Sequence, residues 1–339
     1  MVNIALVVLS YNGLQDTRKC LSSLSVQALE HPEVLSVLVD NGSTDGTTDC
    51  VRAEFPWCTV HRVDVNRGPS AGNNSGIEFA RSKDRDWIIL LNNDTIVTPD
   101  FLSLMIDLAN SPQGFDILGP VIRFMDEPDE VMTDGVRFNP KEFMGFFKRV
   151  EVPVRDVWPP VVTEVDVVNG CCMMISSAVV DKVGLFDESF FIYHDETDYC
   201  LRARLAGFRA GVFSRSLVFH KGGRSFASTG KKGQRYYDAR NLAYLIKRYA
   251  GKLPDARNRT DSISMYLRHM YHRYCVERDA GQSESAAAVI DGMIDAMRRR
   301  VGTYTSEPRF GAKAFEFVFN SARVSLSYLR RGRTKAGKP

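Results

Sequence analysis

Short apolar runs alternate with segments of helical periodicity over the first hundred residues. Aliphatic and β-branched runs predict buried strands at 3–9, 34–39, 59–63 and 87–91. Apolar spacing and turn residues predict the intervening helices at 17–27, 47–55 and 70–80. Such a βαβ series predicts an α/β fold with a mostly parallel central sheet flanked by helices, whose ligands bind at the carboxyl ends of the strands.

The pattern changes along the rest of the chain. It predicts a helix at 99–110, a strand at 117–124, loops or short hairpins over 126–160, a strand-like segment at 216–219 and a helix at 199–206. Beyond Tyr236 it predicts three or four helices with breaks near 251–254, 281 and 302–308. We therefore expect one α/β domain over 1–250, with halves 1–98 and 99–250, and a helical region over 251–339.

Polar side chains follow each of the four predicted strands. Turn residues are common in any loop, so one such segment means little, but four at the same edge of a sheet indicate a binding site. The segments are Ser10-Tyr11-Asn12, Asp40-Asn41-Gly42-Ser43, Asn66-Arg67-Gly68 with Asn73-Asn74 further on, and Asn92-Asn93-Asp94.

Two groups of residues have the chemistry of a metal site and a general base. Asp94 and His220 each follow a predicted strand, and carboxylate with imidazole suits a Mn²⁺-type ion, although a lone Asp or His is often structural. The carboxylates of 195–198 precede a predicted helix, where they serve either as a general base or as helix caps.

Charge is divided unevenly along the chain. Residues 1–200 contain 15 basic and 31 acidic side chains, a net of −16, and residues 201–339 contain 29 basic and 10 acidic ones, a net of +19. The basic half is expected to meet an anionic partner: nucleic acid, phospholipid or a phosphorylated substrate. Because no apolar run approaches 20 residues and the seven cysteines form no Cys-x-x-Cys pair, we expect a cytoplasmic protein with buried thiols and neither signal peptide nor spanning helix.

Taken in order, these motifs resemble the family 2 glycosyltransferases, which have the GT-A fold. The resemblance covers residues 3 to about 250 and is closest to rhamnosyl- and galactofuranosyl-type enzymes of bacterial cell-surface polysaccharides. The segments that carry it are Val8–Asn12, Val39–Gly46, Asn66–Gly68, Gly72–Gly76, Leu90–Thr95, Gly184–Asp187, His194–Asp198, His220–Ser225 and Arg240-Asn241.

The resemblance implies a role for each matching residue. Asp94 and His220 would bind Mn²⁺ or Mg²⁺, although Asn92 replaces the first Asp of the family's Asp-x-Asp motif. Glu196 would be the general base, with Asp195 as the alternative, because the family's Glu-Asp order is inverted here. The nucleotide-sugar-binding residues would be Ser10, Tyr11, Asn12, Asp40, Asn66, Arg67, Asn74, Asn92, Asn93, Lys221, Arg224 and Arg240.

The implied reaction is a metal-assisted, inverting transfer from a dTDP- or UDP-sugar to a hydroxyl of a glycan or lipid-linked glycan. The alternative is a non-catalytic subunit that binds sugar nucleotides within a glycan assembly complex. A nicotinamide-dependent dehydrogenase is excluded because Ser10-Tyr11-Asn12-Gly13 lacks the Gly-x-Gly-x-x-Gly turn, and nucleic acid is not an expected partner. A homo-oligomer remains open.

The end of the chain predicts an amphipathic helix over 314–329. Its apolar face comprises Phe315, Val318, Phe319, Ala322, Leu326 and Leu329, and basic residues follow at 330–335. Such a helix either contacts the inner face of the plasma membrane or packs on the protein's own helices or on a partner subunit.

Overall fold

The structure, a computed structural model, describes residues 2–138, 147–155, 157–222, 230–253, 259–305 and 307–321. Arg224 and most of the predicted amphipathic tail lie outside these residues. The described residues form two compact units, one containing those up to 222 and the other those from 230 onward. The helix Gly230–Tyr249 belongs with the C-terminal helices, whereas the sequence pattern places the division between the two regions at residue 250.

The first unit alternates strands and helices in its N-terminal half, as the pattern predicts. The elements there are β1 (Ile4–Ser10), α1 (Leu14–Glu30), β2 (Leu35–Asp40), α2 (Thr47–Glu54), β3 (Thr59–Arg62), α3 (Pro69–Arg81), β4 (Trp87–Asn92), β5 (Thr95–Val97) and α4 (Phe101–Asn110). The following elements are β6 (Ile117–Phe124), β7 (Val131–Thr133), β8 (Val136–Phe138), β9 (Phe147–Arg149), β10 (Val162–Val165), β11 (Cys172–Ser176), α5 (Ser177–Val183), α6 (Asp195–Leu205) and β12 (Ala210–His220).

The strands form one large mixed sheet in the order β10-β12-β6-β11-β4-β1-β2-β3. Strands β1 to β4 are parallel to one another, and β12 is parallel to β6. Strand β11 lies antiparallel between β4 and β6, and β10 runs antiparallel to β12, so six of these eight strands share one direction. The prediction of a mostly parallel sheet is confirmed. The short strand β5 turns back from β4 and pairs antiparallel with β12, while β8 and β9 pair separately.

Both faces of the sheet are buried, which explains its continuous apolar runs. Along β1, Leu6 and Val8 pack into the cluster that contains α1 and α4, whereas Ala5 and Val7 pack into the cluster beneath α3 and α6. Side chains alternate between the faces of a strand, so a strand covered by helices on both sides is apolar at every position. Helix α3 packs so closely that a Cβ atom on Gly76 would lie 2.4 Å from Cγ1 of Val7.

Helix α6 begins earlier than the pattern predicts. It starts at Asp195 rather than at residue 199, so the acidic residues lie inside its first turn. His194 precedes it in the left-handed conformation, with φ of 64°. Because carboxylates occupy the first turn, that turn lacks the helical spacing of apolar residues. Hydrophobic periodicity therefore predicts only the later part of the helix.

The second unit is helical, as predicted. It contains α7 (Gly230–Tyr249), α8 (Arg259–Asp279), α9 (Ser283–Met297) and a helix at 312–321. Within the described residues, no helix has the length and apolar character needed to cross a bilayer. All seven cysteines are described and unpaired, and five are buried, in agreement with the predicted thiols.

Candidate active site

The loops after β1 and β2 are tied together by hydrogen bonds. The backbone N–H of Asn12 donates to Oγ of Ser43 at 2.9 Å, and Oδ1 of Asn12 accepts from the backbone N–H of Thr44 at 2.8 Å. Asn12 has a φ of 47°, a left-handed conformation that asparagine tolerates better than most residues. Tyr11 beside it is half-exposed, so this loop presents a ring at the edge of the sheet.

Asp40 is fully buried and organises the loop after β2. Its Oδ1 accepts from the backbone N–H of Ser43 at 2.8 Å, and its Oδ2 accepts from the Thr48 hydroxyl and from Arg62 at 2.7 Å. Burial raises the pKa of Asp40, but these hydrogen bonds and the guanidinium charge outweigh burial and hold the pKa below its ordinary value. The carboxylate therefore contacts protein groups in this structure. The nucleotide-sugar-binding role that the resemblance implies for Asp40 stays a prediction.

Asn66 shapes the loop after β3. Its Oδ1 accepts from the backbone N–H of Gly68 at 2.8 Å and from Nδ2 of Asn41 at 3.1 Å. The Arg67 side chain is largely exposed and lies 3.5 Å from Glu188. This loop thus leaves one guanidinium available to solvent while its asparagines hold the backbone.

Asn74, Ser10 and Asn93, three of the predicted nucleotide-binding residues, form hydrogen bonds within the fold. Asn74 is buried, and its amide exchanges hydrogen bonds of 2.9 Å with the backbone of Phe186. Ser10 is buried with its Oγ 2.8 Å from Oγ1 of Thr17, to which Nδ2 of Asn93 also donates at 2.9 Å. Asn92 is half-buried at the end of β4.

Asp94 and His220 lie side by side, as the metal prediction requires. Antiparallel pairing of β5 with β12 sets Thr95 opposite His220, and Lys221 N–H donates to the Asp94 carbonyl at 3.1 Å. Oδ1 of Asp94 is 2.9 Å from Nε2 of His220, and the two side chains are 15% and 10% exposed. The other ring nitrogen of His220 faces the sulfur of Met132 at 3.4 Å.

This pair fits a divalent cation that takes its remaining ligands from a substrate. Carboxylate and imidazole donors suit Mn²⁺, and protein sites for such ions often supply only one or two side chains beside substrate phosphates. No cluster of three or more His, Cys, Asp or Glu side chains suited to a metal occurs among the described residues. Asp94 and His220 are two side chains at this edge that could hold such an ion.

Lys221 is held by an aspartate that sequence reasoning missed. Its Nζ donates to both carboxylate oxygens of Asp16, at 2.7 and 2.8 Å. Asp16 lies in the first turn of α1. An acidic residue there is usually explained by its favourable interaction with the helix dipole. Only the tertiary fold brings α1 beside the end of β12.

The start of α6 presents two adjacent carboxylates. Asp195 is buried, and its Oδ2 accepts from the Ser70 hydroxyl at 2.9 Å, whereas Glu196 is half-buried. The preceding loop has positive φ at Phe191 (63°), Tyr193 (65°) and His194 (64°). Such non-glycine conformations persist only where the surrounding structure holds them in place, and they are frequent at functional sites.

Both carboxyl groups have raised pKa values. Burial raises the pKa of Asp195 despite its hydrogen bonds. Burial also raises the pKa of Glu196 well above its ordinary value, and the negative charge of Asp195 raises it further. A general base works best when its pKa lies near the operating pH, so a raised carboxyl pKa favours catalysis at neutral pH.

Contacts of residues 170 and 171 place Glu196 near the exit of β4. A Cβ atom on Gly170 would lie 3.4 Å from Cβ of Glu196, and the carbonyl of the next residue, Cys171, accepts from the backbone N–H of Asn92 at 2.9 Å. The acidic pair and the Asn92–Asp94 segment thus occupy the same edge of the sheet.

Arg240 lies in the second unit and is fully buried. Its Nε donates to Oδ1 of Asn241 at 2.9 Å, its Nη1 donates to the carbonyl of Gly302 at 2.9 Å, and its guanidinium lies over the ring of Tyr237. These contacts give Arg240 a role in the packing of that unit. The nucleotide-sugar-binding role that the resemblance implies for Arg240 stays a prediction.

The fold and the polar residues at its strand ends can now be compared with known protein families. The model of glycosyl transferase family 2 matches residues 5–184. The chain belongs to this family.

Named relatives of this family 2 chain are glycosyltransferases. The low-salt glycan biosynthesis hexosyltransferase Agl10 of Haloferax volcanii is 25% identical over 218 residues, which are 62% of this chain and 64% of Agl10. The N-acetylglucosaminyl-diphospho-decaprenol L-rhamnosyltransferase of Mycobacterium tuberculosis is 28% identical over 236 residues, 64% of this chain and 75% of that protein. The match thus spans just under two thirds of Agl10.

Solved structures confirm the GT-A fold of this family 2 protein. S. aureus TarS 1–349 in complex with UDP-GlcNAc superposes with a TM-score of 0.54 at 17% identity, covering 88% of this chain and 81% of that one. The mannosyltransferase PcManGT from Pyrobaculum calidifontis, in complex with GDP-Man and Mn²⁺, gives 0.51 at 14% identity and covers 87% of both chains.

Proposed function

We propose that this protein transfers a sugar from a nucleoside diphosphate sugar to a hydroxyl of a glycan or lipid-linked glycan, with inversion at the anomeric carbon. The proposal rests on one observation: a carboxylate–histidine pair and a pair of carboxylates lie at the same edge of the sheet. Asp94 follows β4 and lies beside His220, the last residue of β12. The Asp195–Glu196 pair begins α6 beside the exit of β4. Edges of this kind are where α/β sheets bind ligands.

Glu196 is the proposed general base. Asp195 is buried and its Oδ2 is held by Ser70, whereas Glu196 is half-buried and nearer to solvent. In the proposed single displacement, Glu196 takes the proton of the acceptor hydroxyl, whose oxygen forms a bond to the anomeric carbon as the bond to the nucleoside diphosphate breaks. The fixed backbone around α6 orients this carboxylate, and positioning dominates the rate.

Asp94 and His220 are the proposed ligands of Mn²⁺ or Mg²⁺. When bound there, such an ion would offset the negative charge that develops on the departing diphosphate. The Mn²⁺ in the solved PcManGT complex supports metal use on this fold. Within the described part of the chain, the Arg67 side chain is 68% exposed, more than those of Arg62 and Lys221, and is open to a bound anion.

The donor is proposed to be a dTDP- or UDP-sugar. The UDP-GlcNAc complex of TarS supports a UDP-sugar as donor. The rhamnosyltransferase name of the mycobacterial relative supports a rhamnosyl group as the transferred sugar. The diphospho-decaprenol in the same relative's name supports a lipid-linked acceptor.

A donor screen tests the proposal. The protein is heated with each of a panel of nucleotide sugars and Mn²⁺ or Mg²⁺, because only a ligand that prefers the folded state raises the unfolding midpoint. Donors that bind are then incubated with and without acceptor, and release of the nucleoside diphosphate is followed. Binding with release supports the enzyme. Binding while every donor stays intact would establish the alternative, a non-catalytic sugar-nucleotide-binding subunit.

A further inference from the structure

The second unit exposes three arginines and three large apolar side chains in neighbouring segments of its chain. We call these side chains together the basic aromatic surface, defined by Arg298, Arg299, Arg300, Phe310, Phe317 and Val318. The three arginines follow α9 and are all exposed, and the three apolar side chains are 88%, 72% and 57% exposed. Monomeric proteins rarely group large apolar side chains in water without a function.

Phe310 is held outward by a firmly anchored backbone. The preceding residue, Arg309, is buried, and its Nη2 donates to Oδ2 of buried Asp295 at 2.9 Å. Arg298 Nη2 donates to the Phe310 carbonyl at 3.0 Å, and its guanidinium lies 5.9 Å from the centre of the Phe310 ring. The ring is therefore displayed in water by a fixed neighbourhood that also brings an arginine beside it.

The helix at 312–321 divides the apolar face that the sequence predicted. Phe319 points inward, where it is buried against Tyr271 and Tyr274. Phe317 and Val318 lie on the opposite, exposed stripe, in helical register with exposed Lys313, Ala314 and Ser321. The remaining predicted members, Ala322, Leu326 and Leu329, lie outside the described residues.

Charge on this surface favours an anionic occupant. Arg298, Arg299, Arg300 and Lys313 are all exposed, and Arg300 stays 54% exposed although its Nη1 lies 3.9 Å from Oδ1 of Asp295. The carboxylate of Glu316 lies 3.8 Å from Arg278. Glu307 is the exposed acidic residue in the adjoining segment. A second copy docked through the same patch would bring two arginine-rich surfaces together, and their net repulsion would oppose that contact.

We propose that the basic aromatic surface binds anionic phospholipid bilayers. Phe310, Phe317 and Val318 would enter the interfacial region, and the arginines would meet lipid phosphates, the pattern of peripheral membrane proteins. The proposal is independent of the proposed function because it concerns vesicle binding without any sugar donor.

Vesicle cosedimentation of the full chain tests the proposal. The vesicles contain phosphatidylcholine alone or phosphatidylcholine with phosphatidylglycerol. The first variant is Phe310→Ser with Phe317→Ser, and the second is Arg299→Asn, a change that suits the left-handed φ of 57° at that position. The matched control is Val26→Ser with Leu29→Ser, because these α1 side chains are 67% and 69% exposed but adjoin Glu30 instead of arginines.

We expect binding to the anionic vesicles only, reduced about tenfold or more by the phenylalanine changes and about fivefold by loss of one arginine. The control should bind like the wild type. Both variants keep residues 322–339, so undiminished binding would assign membrane contact to that segment and overturn the proposal. Absence of binding by the wild type, or a wild-type dimer in sedimentation velocity that the phenylalanine changes dissociate, would overturn it too.

Discussion

Oδ1 of Asp94 lies 2.9 Å from Nε2 of His220, although 126 positions separate the two residues in sequence. The contact follows from the pairing of β5 with β12, which carries Asp94 back from the end of β4 to the end of another strand. A carboxylate and an imidazole thus face each other at the sheet edge where the donor diphosphate is proposed to bind.

Asp94→Asn and His220→Gln should each weaken metal-dependent donor binding. Removing a residue that only hydrogen-bonds to a metal ligand lowers metal affinity about 10- to 100-fold. Removing a ligand itself should lower the affinity at least as much. Titration of Mn²⁺ into protein with UDP or dTDP, followed calorimetrically, measures the effect. Asp107→Asn, on an exposed position of α4, is the control, and a metal titration unchanged by Asp94→Asn would contradict the assignment.

Glu196→Gln should remove most turnover while leaving nucleotide binding nearly intact. The amide cannot accept the acceptor's proton, and general bases contribute about 10²- to 10⁴-fold to rate. Initial rates of nucleoside diphosphate release and the Kd of the nucleotide are compared between variant and wild type. Wild-type activity in Glu196→Gln, with activity lost in Asp195→Asn, would transfer the role of base to Asp195.

Asp195→Asn should move the acidic limb of the pH–activity profile to lower pH. Burial and the negative charge of Asp195 both raise the pKa of Glu196, so removing that charge lowers the pKa of Glu196. A general base works when deprotonated, and kcat/KM therefore falls as pH drops through its pKa. The profile of kcat/KM against pH measures the shift, and a limb that stays in place would show that Glu196 is not the group that titrates.

Substitutions of Asp16 and Lys221 should have non-additive effects on donor binding. Lys221→Met should weaken nucleoside diphosphate binding by about 1.5 kcal/mol, or roughly tenfold, if its ammonium meets the diphosphate. Asp16→Ala should cost less, and the double variant should be no worse than Lys221→Met alone, because Asp16 holds the Nζ of Lys221 through both oxygens. Fully additive losses in Kd would show that the two residues act separately.

Asp40→Asn should destabilise the first unit by about 1 to 3 kcal/mol at neutral pH, because the amide cannot accept from Ser43, Thr48 and Arg62 together. The pKa of Asp40 is lowered in the folded state, so its contribution is present above the unfolded pKa, near 4, and is lost as pH falls through the folded pKa. Urea unfolding at pH 7 and below pH 4 should show a difference that shrinks with acidification. Asp49→Asn, exposed on α2, should show no such difference at either pH.

The strands and helices were predictable because their signals are local. The run at 87–91 is apolar at every position since both faces of β4 are covered, and it forms β4 as predicted. The start of α6 was not predictable from periodicity, because Asp195 and Glu196 begin the helix with carboxylates. Among the site residues, Asp94 and His220 were found from their place after strands, whereas Asp16, Arg62 and Ser70 carry no local signal that distinguishes them from ordinary polar positions.

The sequence by itself determined the order of elements, the family and the strand ends at which polar residues gather, since these depend on periodicity and short motifs. Only the tertiary structure decided which of those polar residues face one another. It buries Asp40, Asn74 and Ser10 within hydrogen-bond networks, sets Asp16 on Lys221, and leaves Phe310 and Phe317 in water. Exposure and pairing depend on which elements pack together, and packing joins residues that are far apart along the chain.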